Sequence, residues 1–269
     1  MKNVLLRKYY IITFTWTWIL WIPFILPSFG LYEMTETLKG LIMMAVILGA
    51  FGPLIAALIV TYGENGKEGV KQYFKKCLDF KIKPRYYLYA LLLGLGITFV
   101  AHYFTNLTGI DNLPNNLIPA EMDIPLYILI LPYTLMLLFL GGGQEEFGWR
   151  GFAQEPMQEA YGIIKGSVLL GAIWALWHAP LWLIEGEGHS YYSFIAFAIY
   201  VISWSLVIGI MYNLSGKKMV IPWLMHTFGN LSVPLFPVLF LADVPQPGYW
   251  IWAIMNMMVA IIFAAIYQK

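Results

Sequence analysis

Charged residues are scarce in this sequence, and cysteine is almost absent. Asp, Glu, Lys and Arg make up 12% of the 269 residues, whereas soluble domains contain roughly 25%. Hydrophobic residues make up 60% of the chain, which is more apolar surface than a soluble fold of this length can bury. The single cysteine, Cys77, has no partner for an internal disulfide. The composition therefore excludes a disulfide framework and indicates an integral membrane protein.

The apolar residues form long continuous blocks. About 20 apolar residues are needed for a helix to cross a bilayer core of about 30 Å, and short alternating strands are not visible in the pattern. We therefore predict an all-α integral membrane protein of about eight transmembrane helices. The blocks are Tyr9–Leu31, Gly40–Val60, Tyr86–Phe104, Ile124–Leu140, Ile163–Ile184, Tyr191–Leu214, Met219–Leu241 and Tyr249–Tyr267.

The orientation follows from the distribution of Lys and Arg. Fifteen of the 16 basic residues fall in the alternate segments that share a side with the N terminus, and Lys39 is the exception. Because cytoplasmic loops carry the excess of Lys and Arg, we expect both termini in the cytoplasm. The first apolar run is too long for a secretion signal and lacks an A-x-A-like cleavage site. We expect one membrane domain over residues 1–269.

A basic segment, residues 66–85, lies between the second and third blocks. Val70, Phe74, Cys77 and Leu78 recur there at helical spacing between lysines. This pattern favours an amphipathic helix on the anionic inner leaflet, with a solvated charge run as the alternative. A basic stretch between two membrane spans does not indicate a nucleic-acid partner, and the partner that we expect here is the lipid bilayer.

Polar residues inside the apolar blocks are few and fall into three clusters. An ionisable residue at the centre of a membrane helix costs roughly 2.5–3.5 kcal/mol, so each such residue is expected to have a polar partner or a function. The clusters are Glu145, Glu146 and Arg150 at the end of the fourth block, Trp174 and His178 in the fifth, and His226 and Asn230 in the seventh. Each cluster alone could serve packing or bridge helices, but three together indicate a functional site.

The spacing of the first cluster separates its two carboxylates. Glu146 and Arg150 are four residues apart, on one helix face and within reach of an ion pair. Glu145 is rotated by about 100° from Glu146. We therefore expect Glu146 and Arg150 to hold the architecture, whereas Glu145 is available for chemistry. The alternative is a salt-bridge patch at a helix end.

The positions of the clusters predict a shared polar cavity open to the cytoplasmic side. Glu145 is expected at the cytoplasmic end of its span, with His178 and His226 in the inner half of theirs. A carboxylate and an imidazole beside one water form a general-base pair, and His226 with Asn230 supplies donors for an oxyanion. No Ser or Cys nucleophile with a base partner is apparent. The set indicates attack of water on an acyl carbon, as in peptide hydrolysis.

The three clusters resemble the ordered motifs of a known family. Glu145-Glu146-x-x-x-Arg150, Trp174-x-x-x-His178 and His226-x-x-x-Asn230 are similar to the motifs of the CPBP intramembrane proteases. That family includes CaaX prenyl endopeptidases of Rce1 type and bacteriocin-processing and lysostaphin-resistance-type proteins. The resemblance covers residues 124–230, and Trp174 stands where the motif often has Phe. It implies eight spans, water activation by Glu145 and His178, an oxyanion site at His226 and Asn230, and a supporting role for Glu146 and Arg150.

The motifs are compatible with a zinc site and with water activation without a metal. Members of the family are often labelled metalloproteases, and two His with two Glu form a possible zinc set. No helix carries H-E-x-x-H, however, and Glu146 is expected to pair with Arg150. We therefore expect glutamate-based water activation without a cofactor, and keep zinc as the alternative.

The expected substrate is a membrane-associated or lipidated peptide, cut near the cytoplasmic face. In a bacterial plasma membrane this would be a small precursor, such as that of a pheromone or bacteriocin. Two other functions remain open. A non-catalytic immunity or scaffold protein would use the polar clusters for packing alone, and a proton-coupled transporter would use them as a relay. The transporter is less expected because the sequence has no matching halves.

Overall fold

The structure is a computed structural model that describes residues 2–117 and 125–268. Ile124, the expected start of the fourth span and of the motif core, and Lys269 lie outside the described residues. Within these residues the fold contains only helices. They are α1 (Lys2–Ile25), α2 (Glu36–Ala50), α3 (Gly52–Cys77), α4 (Pro84–Leu107), α5 (Leu126–Leu137), α6 (Gln144–Gly148), α7 (Gln154–Tyr161), α8 (Ile163–His178), α9 (Phe194–Leu214), α10 (Val220–Leu235) and α11 (Pro247–Tyr267).

The predicted all-helical membrane architecture is confirmed. In the described part of the chain, seven helical segments are long and apolar enough to cross a membrane. The remaining predicted span, Met219–Leu241, corresponds to α10, which has 16 residues and is therefore about 24 Å long. It packs against α4 and α9, and the chain after it buries Val238 and Leu239. The eighth helix is thus shorter than a bilayer core and lies inside the bundle.

The fourth span differs most from its prediction. Instead of ending at Leu140, it continues from α5 to α7 through two π-helical turns, Leu138–Gly143 and Trp149–Ala153. We call residues 126–161 the α5–α7 rod. Glu145 therefore lies near the middle of a continuous helix and not at a cytoplasmic helix end. The prediction was wrong because it took the polar run around Glu145 for an exit from the membrane, whereas neighbouring helices bury it.

The helices connect at two ends of the bundle. We call one the basic end, formed by residues 2–8, 67–85, 154–165 and 215–219. It is held together by ion pairs of Lys218 with Asp79 and of Lys76 with Glu155, the latter at 3.2 Å. The other, the acidic end, is formed by residues 26–36, 108–117, 179–193 and 236–246. There the Ser28 hydroxyl donates to the Leu183 carbonyl at 2.7 Å.

The expected amphipathic segment begins at a bend. Gly66, at φ 58° and ψ −157°, interrupts α3, and the helix resumes up to Cys77. The Tyr73 hydroxyl donates to the Phe147 carbonyl, and Cys77 is fully buried. The buried side of this segment thus packs on the α5–α7 rod. Contact of its other side with an anionic leaflet stays a prediction.

Candidate active site

Three consecutive glycines bring α10 against the α5–α7 rod. A Cβ atom on Gly142 would lie 2.7 Å from Thr227 Oγ1 and 2.9 Å from the Trp223 carbonyl oxygen. A Cβ on Gly141 would lie 3.1 Å from Asn230 Nδ2. The two helices can approach so closely because glycine has no side chain. The π-helical turn formed by these glycines, a feature frequent at functional sites, places the motif of α10 beside Glu145.

Glu146 lies at the centre of a buried group of charges. Its Oε1 accepts hydrogen bonds from Arg150 Nη1 at 2.8 Å and from His226 Nδ1 at 2.9 Å. Glu146 and Arg150 are 0% exposed and His226 is 5% exposed. We call these three residues the ion cluster. The predicted pair of Glu146 with Arg150 is present, but spacing could not reveal the bond to His226, 80 residues away.

Glu145 lies outside the ion cluster and has a different partner. Its Oε2 accepts a hydrogen bond from Trp174 Nε1 at 2.7 Å. The face of the same indole covers the Arg150 guanidinium, whose Cζ is 4.5 Å from the ring centroid. Trp174 therefore contacts both carboxylate environments through different parts of one side chain. Sequence reasoning treated Trp174 only as a motif residue and missed both contacts.

His178 is the last residue of α8, and its orientation is set by its own helix. Its Nδ1 lies 2.9 Å from the Trp174 carbonyl oxygen. Since a carbonyl can only accept, Nδ1 carries a proton, and in the neutral ring Nε2 keeps its lone pair. The rings of Trp177 and Phe197 lie 4.6 and 5.0 Å away, centroid to centroid. These contacts leave His178 Nε2 as a proton acceptor.

Four of the six predicted site residues line one cavity of about 300 Å³: Glu145, His178, His226 and Asn230. This volume is at the lower end of the range for small-molecule sites, roughly 300–1,000 Å³. Glu146 and Arg150 do not line it and lie behind its wall. Sequence reasoning missed further lining residues, including His189, Tyr192, Tyr200 and Trp252, because a loop histidine and scattered aromatics form no pattern.

His189 brings the α8–α9 connection beside the catalytic candidates. It lies in the connection between α8 and α9, and its ring centroid is 6.2 Å from that of His178. Its Nδ1 is 2.7 Å from Glu187 Oε2. The loop is thereby packed against the cavity, with the ring of Trp182 at 4.9 Å from His189.

The donor atoms do not form a zinc site in this arrangement. Among residues 2–117 and 125–268, no three His, Cys, Asp or Glu side chains are grouped closely enough to hold a metal ion. Glu146 Oε1 and His226 Nδ1 bind each other, and Glu145 Oε2 is bound by Trp174. This arrangement therefore does not support a reaction step at a metal.

The comparisons with known proteins point to the same family as the three motifs. A family model of Rce1-like type II CAAX prenyl endopeptidases matches residues 127–232, which contain all three motifs. This match supports the resemblance of the chain to the CPBP (Rce1-type) family. A curated relative, CAAX prenyl protease 2 of Methanococcus maripaludis, is 23% identical over 250 residues, which cover 86% of this chain and 85% of the relative. These similarities support a multi-pass membrane protein with peptide hydrolase activity.

Proposed function

We propose that this chain is an intramembrane endopeptidase in which Glu145 and His178 activate a water molecule for attack on a peptide carbonyl. The observation that carries the proposal is the shared cavity. The α5–α7 rod, α8 and α10 each contribute their polar motif to its wall, although the three motifs are far apart in the sequence. Packing alone gives no reason for four polar side chains to face one cavity in a membrane interior.

The proton-accepting groups are Glu145 and His178. Trp174 binds Glu145 Oε2, so Oε1 is left to accept a proton from water, and His178 Nε2 offers a second acceptor. As the water oxygen bonds to the carbonyl carbon, its proton moves to Glu145. When the C–N bond breaks, that proton moves to the departing amine nitrogen. General acid–base catalysis of this kind contributes roughly 10²–10⁴-fold to a rate.

The groups that stabilise the oxyanion are His226 and Asn230. Asn230 donates from its amide nitrogen. His226 already donates from Nδ1 to Glu146, so it can donate from Nε2 only as the imidazolium. The Glu146 carboxylate supports that charge, and Arg150 holds the carboxylate in place. With Glu145 and Glu146 ionised, the charges of Glu145, Glu146, Arg150 and His226 sum to zero.

We propose that the reaction is independent of metal and that its substrate is a membrane-anchored peptide. Aromatic and aliphatic side chains form most of the cavity wall, among them Trp174, Tyr200 and Leu137, which suits an apolar or lipidated segment. The archaeal relative is named as a CAAX prenyl protease. For this chain we propose a small membrane peptide precursor in a bacterial plasma membrane.

The test uses purified protein in nanodiscs with a library of membrane peptides, read by mass spectrometry. Glu145→Gln and His178→Ala are compared with wild type and with Glu64→Gln, a matched change at an exposed glutamate of α3. We expect cleavage by wild type and Glu64→Gln only, with or without a chelator. Activity lost on chelation and restored by zinc would establish the metalloprotease alternative. Undiminished cleavage by both site variants would refute the proposed roles.

The other two functions give different results in matched experiments. A transporter would produce a proton flux in liposomes that Glu145→Gln abolishes. A scaffold or immunity protein would keep its biological phenotype with Glu145→Gln, provided that the variant is expressed normally. Either result, obtained with folded protein that cuts no peptide, would count against the endopeptidase.

A further inference from the structure

The cavity lies in the half of the bundle nearest the acidic end. Its wall includes His189 and Tyr192 from the α8–α9 connection and Leu239 from the α10–α11 connection. Tyr249 and Trp252 also line it, close to the first residue of α11. Within the described parts of the chain, no residue of the basic end lines the cavity.

The depths of two catalytic candidates, His178 and Asn230, agree with this position. At 1.5 Å per residue, Glu145 lies roughly 24 Å along its helix from Tyr161 at the basic end. His178 lies roughly 22 Å from the start of α8, and Asn230 roughly 15 Å from the start of α10. Because α10 is only about 24 Å long, Asn230 lies beyond its middle, and His178 lies at the far end of α8. Glu145 lies near the middle of its helix, and His226 lies roughly 9 Å from the start of α10.

The charge distribution fixes which end faces the cytoplasm. Arg150 was counted among the loop cations, but it is buried in the ion cluster. Without it, the basic residues of the described chain still divide unequally, because Lys39, near the start of α2, is the only one close to the acidic end. The other cations are Lys2, Arg7, Lys8, Lys67, Lys71, Lys75, Lys76, Lys81, Lys83, Arg85, Lys165, Lys217 and Lys218. By the positive-inside rule the basic end is cytoplasmic.

From these observations we infer that the cavity is entered from the extracytoplasmic face, opposite to the cytoplasmic opening that the sequence predicted. The earlier expectation depended on Glu145 lying at a cytoplasmic helix end, and the continuous α5–α7 rod removes that premise. The catalytic roles assigned to the cavity rest on the proposed function. The side of the membrane from which the cavity is entered does not depend on it.

The orientation narrows the substrate class. The scissile bond belongs to a peptide segment that is already outside the membrane barrier and anchored at the outer leaflet, and not to a cytoplasmic C terminus. Acidic side chains surround that end, including Glu33, Glu36, Asp111, Glu185, Glu187 and Asp243. A field of one sign favours the approach of oppositely charged ligands, so basic flanking residues on the peptide would favour binding.

Thiol accessibility in intact cells tests the orientation without any substrate. In a Cys77→Ala background, single cysteines are placed at Glu185 in the α8–α9 connection, at Lys83 before α4, and at the cavity-lining residue Ile47 of α2. A membrane-impermeant maleimide is then applied. We expect Glu185→Cys and Ile47→Cys to be labelled equally before and after permeabilisation. Lys83→Cys should be labelled only after permeabilisation.

Two results would overturn the inference. Labelling of Lys83→Cys in intact cells, with Glu185→Cys protected, would reverse the topology. Labelling of Glu185→Cys with Ile47→Cys protected until permeabilisation would show that the cavity does not open to that face. Complete labelling of each variant after denaturation is the control for thiol content. A protein that cleaves nothing would refute the proposed function yet still give this labelling pattern, so the two failures can be distinguished.

Discussion

Glu145 and Glu146 are adjacent in the chain but belong to two different regions of the molecule. Glu146 lies in the ion cluster, where Arg150 and His226 both donate to it. Glu145 lies in the cavity wall, where Trp174 is its hydrogen-bond donor. The rotation of about 100° between neighbouring helical residues is enough to separate them. Two identical side chains thus have different surroundings, and the different functions that we propose for them follow from position alone.

The comparison also explains why the two regions should respond differently to substitution. In the ion cluster each charge is buried, so removing one leaves another without a partner, which costs several kcal/mol. The cavity wall has open space on one side, and an uncharged isostere can keep the hydrogen bond from Trp174. We therefore expect the ion cluster to determine stability and the cavity wall to determine the rate.

The largest expected effect is on the rate, from Glu145→Gln. The amide cannot accept the proton of water, so kcat/KM should fall by about 10²–10⁴-fold, the contribution typical of a general base. The carbonyl oxygen of Gln can still accept from Trp174 Nε1, so unfolding should be nearly unchanged. Rate and thermal unfolding are measured on the same detergent-solubilised sample. A variant that loses stability as well as rate would remove the distinction between the two regions.

The next largest effect is on stability, from Arg150→Met. It leaves Glu146 buried without its cation, and breaking a buried pair on one side typically costs about 3–5 kcal/mol. Thermal unfolding should shift strongly, and cleavage should fail because His226 loses its support. Lys39→Met, which breaks the exposed pair with Glu36, is the matched control and should cost at most about 1 kcal/mol. An Arg150→Met protein as stable as the control would show that the ion cluster contributes little to folding.

Part of this difference could be read from the sequence, and part could not. The pair of Glu146 with Arg150, and the separation of Glu145 from both, follow from helical geometry because these residues lie within one turn. The bond from His226 to Glu146 and the contacts of Trp174 join separate helices, and spacing along one chain carries no information about such contacts. Local pattern therefore predicts each motif but not how the motifs meet.

The fold shows the same limit. Continuous apolar blocks predicted the membrane helices because the insertion of a helix into lipid depends on how apolar its residues are. The extent of the α5–α7 rod was missed because its polar centre, from Gln144 to Arg150, is covered by other helices. The short length of α10 was missed for the opposite reason, since the apolar connection after it looks like more helix. In both cases the segment is surrounded by other parts of the protein, and not by the lipid or water that the prediction assumed.

A smaller effect is expected from Gly142→Ala, at the contact between the α5–α7 rod and α10. A methyl group there would meet Thr227 Oγ1 and the Trp223 carbonyl, and overpacking of this kind typically costs about 1–3 kcal/mol. Gly142→Ala should lower both stability and rate, because α10 carries His226 and Asn230. Gly96→Ala in α4, where no atom lies within 4 Å of the added Cβ, is the control. It should be neutral or stabilising by about 0.5–1 kcal/mol. Equal effects of the two variants would argue against the close contact.

The smallest effect is expected at Trp174, whose side chain contacts both regions. Trp174→Phe removes the N–H donor to Glu145 but keeps an aromatic face for Arg150. Trp174→Leu removes both, so the difference in unfolding free energy between the variants should reflect the cation–π contact, about 0.5–2 kcal/mol. The lost hydrogen bond should lower kcat/KM to a similar extent in both, by roughly tenfold for a bond to a charged group. Because Trp174→Phe keeps an aromatic ring against Arg150, it should fold and retain part of the activity. If the two variants unfold identically, Trp174 contributes through Glu145 alone, and the ion cluster is stable without its aromatic cover.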